Sequence, residues 1–567
     1  MAYLNWKIIF KQEKNMKNLL IILLMGTFTT VVKSDVGNIV NLFNAITDVE
    51  IWDFDVSGFS DDTDPIDRYG EAVAHGDFNN DGWDDLAIGI PNYDFFFATV
   101  LNTGAVQIIY GSPSGLTPVD SQLLFQSLET DPPNFENNEG LEANDFFGQT
   151  LASGDFNCDG ISDLAVGTPE EDVTFNGSGG LRNAVGAINI FYGSNSGFAD
   201  LGAGSTFIHQ GSPANISFEG GLSAGDRFGW SMAVGNFNGD SDNGNTCDDL
   251  AVSAPFEDFG NMDQISDGGQ VEVYYGHTDG LSADDRDSLS QQSDDIPGSA
   301  SEDNDQFGLS LAAGMFRSGI LPGPVWDLAV GIPGQDVDGQ NGAGAVQVFN
   351  GGLSGLDATD TSFIWSQSGA INGVVEANDN FGSALTTGRF NGDLSMDLAV
   401  SAEREDLDAD GINDAGAVHI IYGSDTGLTT NGNQIFTQNS TGIDDGAVAE
   451  NSDRFGDTLT SADLNYDFID DLVVGVPREN DSSGAFHIIL GSANGITTVG
   501  HDYVTNFLGD DLDEMTYSMT VGNFGNGPEL VVGMPGNDSV DDENDSGAVK
   551  VYEFENPDVI FKDDFEG

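Results

Sequence analysis

The sequence predicts an all-β chain, a seven-bladed β-propeller of four-stranded blades. Three observations predict it. First, one unit recurs seven times. It opens with DRYG, DFFG, DRFG, DQFG, DNFG and DRFG, ending at Gly70, Gly148, Gly229, Gly308, Gly382 and Gly456, and with a degenerate EMTY ending at Tyr517. The spacings are 78, 81, 79, 74, 74 and 61 residues, and self-similarity at a near-constant period marks a repeat architecture. Second, each unit holds a run that is apolar at nearly every position, such as DLAIGIP at 85–91 and DLVVGVP at 471–477. Such a run fits a strand buried on both faces. Third, 75 of 567 residues are glycine, which weakens helix interiors and argues against a helical bundle.

Taken in order, the chain opens on an export signal. Residues 19–26 read LLIILLMG and follow Lys7, Lys11, Lys14 and Lys17. A basic flank and so short an apolar run suit a signal-peptide core rather than a membrane span. Val32 and Ser34 supply the small residues for cleavage, so residues 1–34 are assigned to the signal, with Met16 as a second candidate start. Removing five of 16 basic residues and one of 94 acids leaves 11 and 93, a net charge of -82. That charge excludes nucleic-acid binding, which needs a basic surface. The 39% hydrophobic and 10% aromatic content supplies a core and argues against disorder.

The propeller spans 35–556. Its repeats lie near 67–127, 145–211, 226–293, 305–368, 379–439, 453–507 and 514–554. Each supplies strand a, rich in Gly, Ala and Ser; strand b, the DLAVG run; strand c, as in GAVQIIYG at 104–111; and strand d, as in NQIFTQ at 433–438. These runs are β-branched or aromatic and bounded by turn residues. The seventh unit stops after strand c, in GAVKVYEF at 547–554. VEIWDFDV at 49–56 resembles a d strand and is expected to complete the last blade. Radial closure protects sheet edges; an open solenoid would need caps. Residues 557–567 form a tail.

FG, an acidic loop, LAVGxP and GAVxxYG, in order, resemble the FG-GAP repeats of the integrin α-chain propeller, over roughly 48–556. The resemblance implies a seven-bladed propeller with calcium on hairpin loops, acting in extracellular adhesion and recognition. The chain lacks integrin leg domains and a transmembrane helix. It is more similar to stand-alone secreted or surface FG-GAP proteins of bacteria, so integrin partnership does not carry over.

Between strands a and b, unit one places Asp77, Asn79 and Asp81 at positions 1, 3 and 5, the Trp83 carbonyl at 7 and Asp85 at 9. Calcium takes six to eight hard oxygens at flexible geometry, and this spacing wraps them round one ion. Unit two repeats it with Asp155, Asn157, Asp159, the Ile161 carbonyl and Asp163; unit six with Asp463, Asn465, Asp467, the Ile469 carbonyl and Asp471. Unit six has Phe468 where the others have glycine. Asn236, Asn238, Asp240 and Asp249 form a weaker set in unit three. Units four (MFRSGILPGPVWDL) and seven (NFGNGPEL) have lost the acids of the loop, so no metal is expected there. Unit five puts Arg389 at position 1, where its cation is expected to replace the ion beside Asp393 and Asp397. A second kind of loop, between strands b and c of unit five, offers Asp406, Asp408, Asp410, the Ile412 carbonyl and Asp414. About three to five calcium ions are expected. The competing reading of every such loop is an Asp/Asn-rich solvated turn.

Cys158 and Cys247 lie on loops of neighbouring blades and read either as a disulfide or as two free thiols. Glu142/Asp145, Glu302/Asp305, Glu376/Asp379 and Glu450/Asp453 could suggest acid–base pairs, but their recurrence reads as a structural turn. His419 and His487 match on strand c and read as packing residues. No G-x-S-x-G, H-E-x-x-H or phosphate-cradling loop occurs. We therefore expect an exported, monomeric, non-enzymatic module that recognises an extracellular protein or glycan. The alternatives are a polysaccharide-processing enzyme on the same scaffold, or a structural component of a surface assembly.

Overall fold

The computed structural model describes residues 20–25, 28–33, 46–52, 67–94, 101–126, 142–175, 180–199, 205–210, 223–242, 244–259, 265–281, 286–292, 301–318, 325–357, 363–407, 411–443, 448–505, 514–525, 527–536 and 547–554. Residues 1–44 form a unit of their own, in which Leu20–Met25 pairs antiparallel with Phe28–Lys33. The signal-peptide cleavage site and the tail lie outside the described residues.

Among the described residues, 45–567 carry seven antiparallel blade sheets, with two further two-stranded hairpins, Val173–Phe175 with Gly180–Arg182 and Ser241–Asp242 with Asn245–Thr246. In blade one, strands a to d are Val73–Gly76, Asp85–Ile90, Ala105–Tyr110 and Thr117–Leu124. Blades two to six repeat this order, their b strands being Asp163–Thr168, Asp249–Ala254, Asp327–Ile332, Asp397–Ala402 and Asp471–Val476. Blade seven is Ser518–Gly522, Glu529–Met534 and Ala548–Phe554. Its fourth strand is Ile46–Trp52, which pairs antiparallel with Ala548–Phe554. That strand begins three residues earlier than the sequence suggested, and 53–56 lie outside the described residues.

The apolar b strands sit between sheets because alternate side chains face opposite neighbours. Leu164 and Val166 pack with Val106 and Ile108 of blade one, whereas Ala165 packs with Leu250 and Val252 of blade three. The ring closes in the same way: Leu86 and Ile88 of blade one pack with Val531 and Val549 of blade seven. Across that junction the Ser518 hydroxyl donates to the Gly70 carbonyl at 2.8 Å.

The FG element is the inter-blade plug. Phe147, Phe228, Phe307, Phe381 and Phe455 are fully buried. A Cβ on Gly89 would lie 2.0 Å from the Gly148 carbonyl oxygen, so the blades approach there only because no side chain intervenes. The seventh copy corrects the sequence reading by one residue. Met515 bridges Gly484 as Phe147 bridges Gly104, and Thr516 N–H donates to Gly533 as Gly148 N–H donates to Gly167. The element is therefore Glu514–Met515–Thr516, and Tyr517 lies beyond it. Met and Thr replace the Phe and Gly that mark the motif, which drew the alignment onto the next aromatic residue.

Candidate functional site

In each blade the acid that opens strand b is buried, and it ties the sheet together. Asp85 Oδ2 accepts the Phe78 N–H and Oδ1 the Gly111 N–H, each at 2.9 Å. Asp163 holds Phe156 and Gly193 N–H at 2.9 Å, and Asp471 holds Leu464 at 3.2 Å and Gly491 at 2.9 Å. One carboxylate thus joins the end of strand a and the end of strand c to strand b. Sequence reasoning saw only a ligand at position 9. The signal for a second role was present, because Asp327, Asp397 and Glu529 keep an acid there in blades read as metal-free. Burial pushes Asp85, Asp163 and Asp471 up to about 8, the neighbouring loop acids add to it, and the N–H bonds pull back.

The loops of blades one, two and six share one pattern of Asp-to-backbone bonds, while the asparagine differs, because Asn157 and Asn465 Oδ1 accept the Asp159 and Asp467 N–H at 3.0 Å. Asp77 Oδ1 and Oδ2 accept the Asp81 and Gly82 N–H at 3.0 and 2.9 Å, and Asp81 Oδ1 accepts the Trp83 N–H at 3.0 Å. Asp155 and Asp159 do the same for Asp159, Gly160 and Ile161, and Asp463 and Asp467 for Asp467, Phe468 and Ile469. A carboxylate has about four lone-pair sites, so these bonds leave acceptor capacity. Asn79 Oδ1 is buried with no hydrogen-bond partner. Among the described residues no three His, Cys, Asp or Glu side chains already stand together as a cage. The donor set mixes acids, an amide oxygen and a main-chain carbonyl, all hard oxygens, which fits calcium. Phe468 sits at φ 67° where Gly82 and Gly160 have 93° and 85°, and it is 91% exposed.

In blade three, Asn238 Nδ2 donates to Asp240 Oδ2 at 3.0 Å, Asn236 Nδ2 donates to the Asp240 carbonyl at 2.7 Å, and Asp249 accepts Phe237 and Gly276 N–H. The weaker set is brought together, with Asn236 Oδ1 left buried and unpartnered. Blade five overturns the expectation for Arg389. That side chain is exposed and makes no ion pair among the described residues; Asn391 contacts Asp393 and Asp397 instead. The substitute cation is in blade four. Arg317 Nε lies 3.1 and 3.2 Å from the two Asp327 oxygens, and its Nη2 donates to Asp327 and to the Gly351 carbonyl. The reason is position. Arg317 stands third in its loop, where Asn79 and Asn391 reach the strand-b acid at 3.5 Å, whereas Arg389 stands first. Arg317→Ala is expected to cost about 3–5 kcal/mol in denaturant unfolding by stranding a buried carboxylate. Arg389→Ala is expected to stay within about 0.5 kcal/mol.

The DD pairs divide their work. In blades one, three and six the Asp before the clamp grips the preceding blade: Asp84 Oδ2 accepts Asn523 N–H at 2.8 Å, Asp248 accepts Asp155 N–H at 2.9 Å, and Asp470 accepts Arg389 N–H at 2.7 Å. Beside Asp155, Cys158 and Cys247 are joined in a disulfide, Cα–Cα 4.6 Å. Asn245 Nδ2, on the inserted hairpin of blade three, donates to the Cys158 carbonyl at 3.2 Å. The bridge closes a loop of 89 residues, worth about 4–5 kcal/mol in the chain-entropy account. Replacing both cysteines by serine is expected to lower the unfolding free energy by about that amount, read by denaturant titration.

The opposite rim carries the turns before strand a and after strand b. Asp145, Asp226, Asp305, Asp379 and Asp453 each accept the N–H three residues upstream at 2.5 to 2.7 Å, so the Glu/Asp pairs form a structural turn. A buried latch missed in sequence links neighbouring blades. Gln126, Gln210, Gln367 and Gln438, two residues past strand d, donate to Glu171, Glu257, Glu405 and Glu479 of the next blade at 2.5 to 2.9 Å. His419 and His487 are buried against Phe381 and Phe455. In the b–c loop of blade five, Asp406 Oδ1 accepts the Asp414 N–H at 2.8 Å. Asp94, Asp172 and Asp258 make the same hairpin bond in loops without the metal pattern. Asp408 and Asp410 lie outside the described residues.

The FG-GAP repeat family model matches residues 69–109 and 147–181. The chain carries FG-GAP repeats. Over 250 residues it is 30% identical to human phosphatidylinositol-glycan-specific phospholipase D, covering 44% of this chain and 25% of that protein. It is 28% identical over 284 residues to Drosophila melanogaster integrin alpha-PS2, covering 49% of this chain and 17% of that protein. With mouse integrin alpha-3 the identity is 31% over 130 residues, 23% of this chain and 10% of that one. The FG-GAP chain thus matches about a quarter or less of the length of these relatives. Among its described residues no helix is long and apolar enough to cross a membrane.

Proposed function

We infer that this FG-GAP propeller is an exported recognition module whose hairpin loops bind calcium and whose opposite rim binds an extracellular protein or glycan. The observation that carries the reading is the recurrence of one mixed-oxygen loop in blades one, two and six, with Asn79 Oδ1 buried and unsatisfied in the first. A buried acceptor of this kind is costly unless a proton donor or a cation meets it. The likeness to integrin alpha chains over 130 and 284 residues favours recognition. A catalytic reading draws on the phospholipase name, but the repeated carboxylates here are occupied in turns and clamps. The test is retention of the protein on a panel of purified glycans and extracellular proteins, in calcium and in chelator, with product release from the same panel measured alongside. Calcium-dependent retention without turnover supports the reading; turnover of any bound polymer replaces it with the enzyme.

A further inference from the structure

One charged cluster is not shared by the repeats. Six blades have proline directly after strand b, at 91, 169, 255, 333, 477 and 535; blade five has Glu403. Glu403 Oε1 lies 3.3 Å from Arg404 Nε and accepts from Asn380 Nδ2 at 3.3 Å, and its Oε2 lies 3.4 Å from Arg454 Nη1. Tight charge-assisted bonds run about 2.7–2.9 Å, so both guanidinium groups are held loosely. Neither Arg404 Nε nor Arg454 Nε has an acceptor in hydrogen-bond geometry. Arg478 of blade six is exposed and makes no ion pair among the described residues. Asp457 completes the cluster through a hydrogen bond with Glu403. Burial and the contact with Glu403 push the Asp457 carboxyl well up. Burial also raises Glu403, but the Asp457 bond and the two guanidinium groups outweigh it and hold Glu403 low. Arg478 reaches the cluster through Asp457, whose carboxyl it and Arg454 pull down against that rise, so three guanidinium groups share the two carboxyls Glu403 and Asp457, in a chain with 94 acids and 16 bases.

We propose that this boundary between blades five and six is an oxyanion site, in which Arg404, Arg454 and Arg478 take a carboxylate or sulfate group and Glu403 is the internal carboxylate that the ligand displaces. Guanidinium forks suit planar or tetrahedral oxyanions. The acidic surface around the site repels polyanions, so the fitting ligand carries an isolated oxyanion, such as an acidic sugar at a chain end. The recognition reading gives the site its use, but the site needs no metal and stands whether or not the loops bind calcium.

The chain has nine arginines, few enough for their Nε–Hε NMR signals to be assigned by substitution. The protein is titrated at low salt, in chelator, with inorganic sulfate, glucuronate and, as the neutral control, glucose. Saturable shifts at Arg404 and Arg454, absent with glucose and weakened at least tenfold in Arg404→Gln and in Arg478→Gln, are the expected result. Glu403→Gln discriminates further. Loss of the internal competitor is expected to tighten binding severalfold, whereas a purely structural ion network gives destabilisation with no gain. A response to sulfate alone or glucuronate alone keeps the site and names the oxyanion. Shifts that do not saturate, that move Arg68 and Arg227 equally, or that weaken in a folded Glu403→Gln protein overturn the proposal.

Discussion

Chelating calcium is expected to lower the unfolding midpoint by about 7 °C. The size follows from linkage. A ligand that binds only the folded state at a hundredfold excess over its Kd stabilises by about 2.7 kcal/mol per site. Blades one, two and six offer three loops with one pattern of Asp-to-backbone bonds, for a total of about 8 kcal/mol. At about 2.1 cal/mol/K per residue, a propeller of this length unfolds with an entropy of about 1.1 kcal/mol/K, which converts that energy to the stated shift. Asp77→Ala with Asp155→Ala removes the position 1 ligand from two loops and is expected to cut the calcium-dependent shift to about a third. Magnesium at equal concentration is expected to give much less, because it demands near-ideal octahedral geometry and keeps its waters. The measurement is a thermal scan in calcium, magnesium and chelator. An equal midpoint in all three would return the loops to solvated turns, leaving the Asp77, Asp155 and Asp463 hydrogen bonds as their whole purpose.

Blade number, strand order and the buried faces of strand b were legible because each is written locally and repeated. Strand b needs apolar residues on both faces, and Leu164, Ala165 and Val166 show why: successive side chains enter different inter-blade cores. The loop candidates were legible by spacing alone. What spacing could not reveal is that their last acid already has two partners, Phe78 and Gly111 in blade one, since the second partner comes from strand c, 26 residues on. The same limit hid the inter-blade devices. Gln438 and Glu479 are 41 residues apart, and Asp84 and Asn523 meet only because the ring closes. Arg317 and Arg389 look interchangeable in sequence. Only the hairpin geometry shows that the third loop residue turns toward the clamp while the first does not.

Acidification of the calcium-free protein from pH 8 to 6.5 is expected to raise its unfolding midpoint, by about 1 °C per pH unit for each excess proton the folded state holds. The sign comes from burial. Asp85, Asp163, Asp471 and Glu405 are pushed up to about 8 and Glu479 to about 7, against about 4 in the unfolded chain. Between those limits the folded state binds more protons than the unfolded one, so stability grows as pH falls through the folded values. The buried histidines act oppositely. His209 is held down to about 4 and His419 to about 3, both by burial, so below about pH 6.5 the unfolded state gains protons that these rings refuse. The rise is therefore steep from pH 8 to 6.5 and flatter beneath. Calcium changes the slope selectively. An ion in the loops keeps Asp85, Asp163 and Asp471 ionised, leaving as the proton-binding groups Glu405 and Glu479 of the inter-blade latch together with Asp145, Asp226, Asp249, Asp397 and Glu272, which burial also raises to about 7 or 8. Saturating calcium should then cut the slope by about a third while raising the midpoint most at pH 8. Glu405→Gln with Glu479→Gln, which keep the latch acceptor and lose the charge, should lower the slope further, by about a fifth of its calcium-free value. Thermal scans across this range, with calcium and with chelator, decide it. A midpoint that climbs with pH between 6.5 and 8 in chelator would mean that the buried carboxyls are ionised without a cation, and that the clamp N–H groups alone carry their charge.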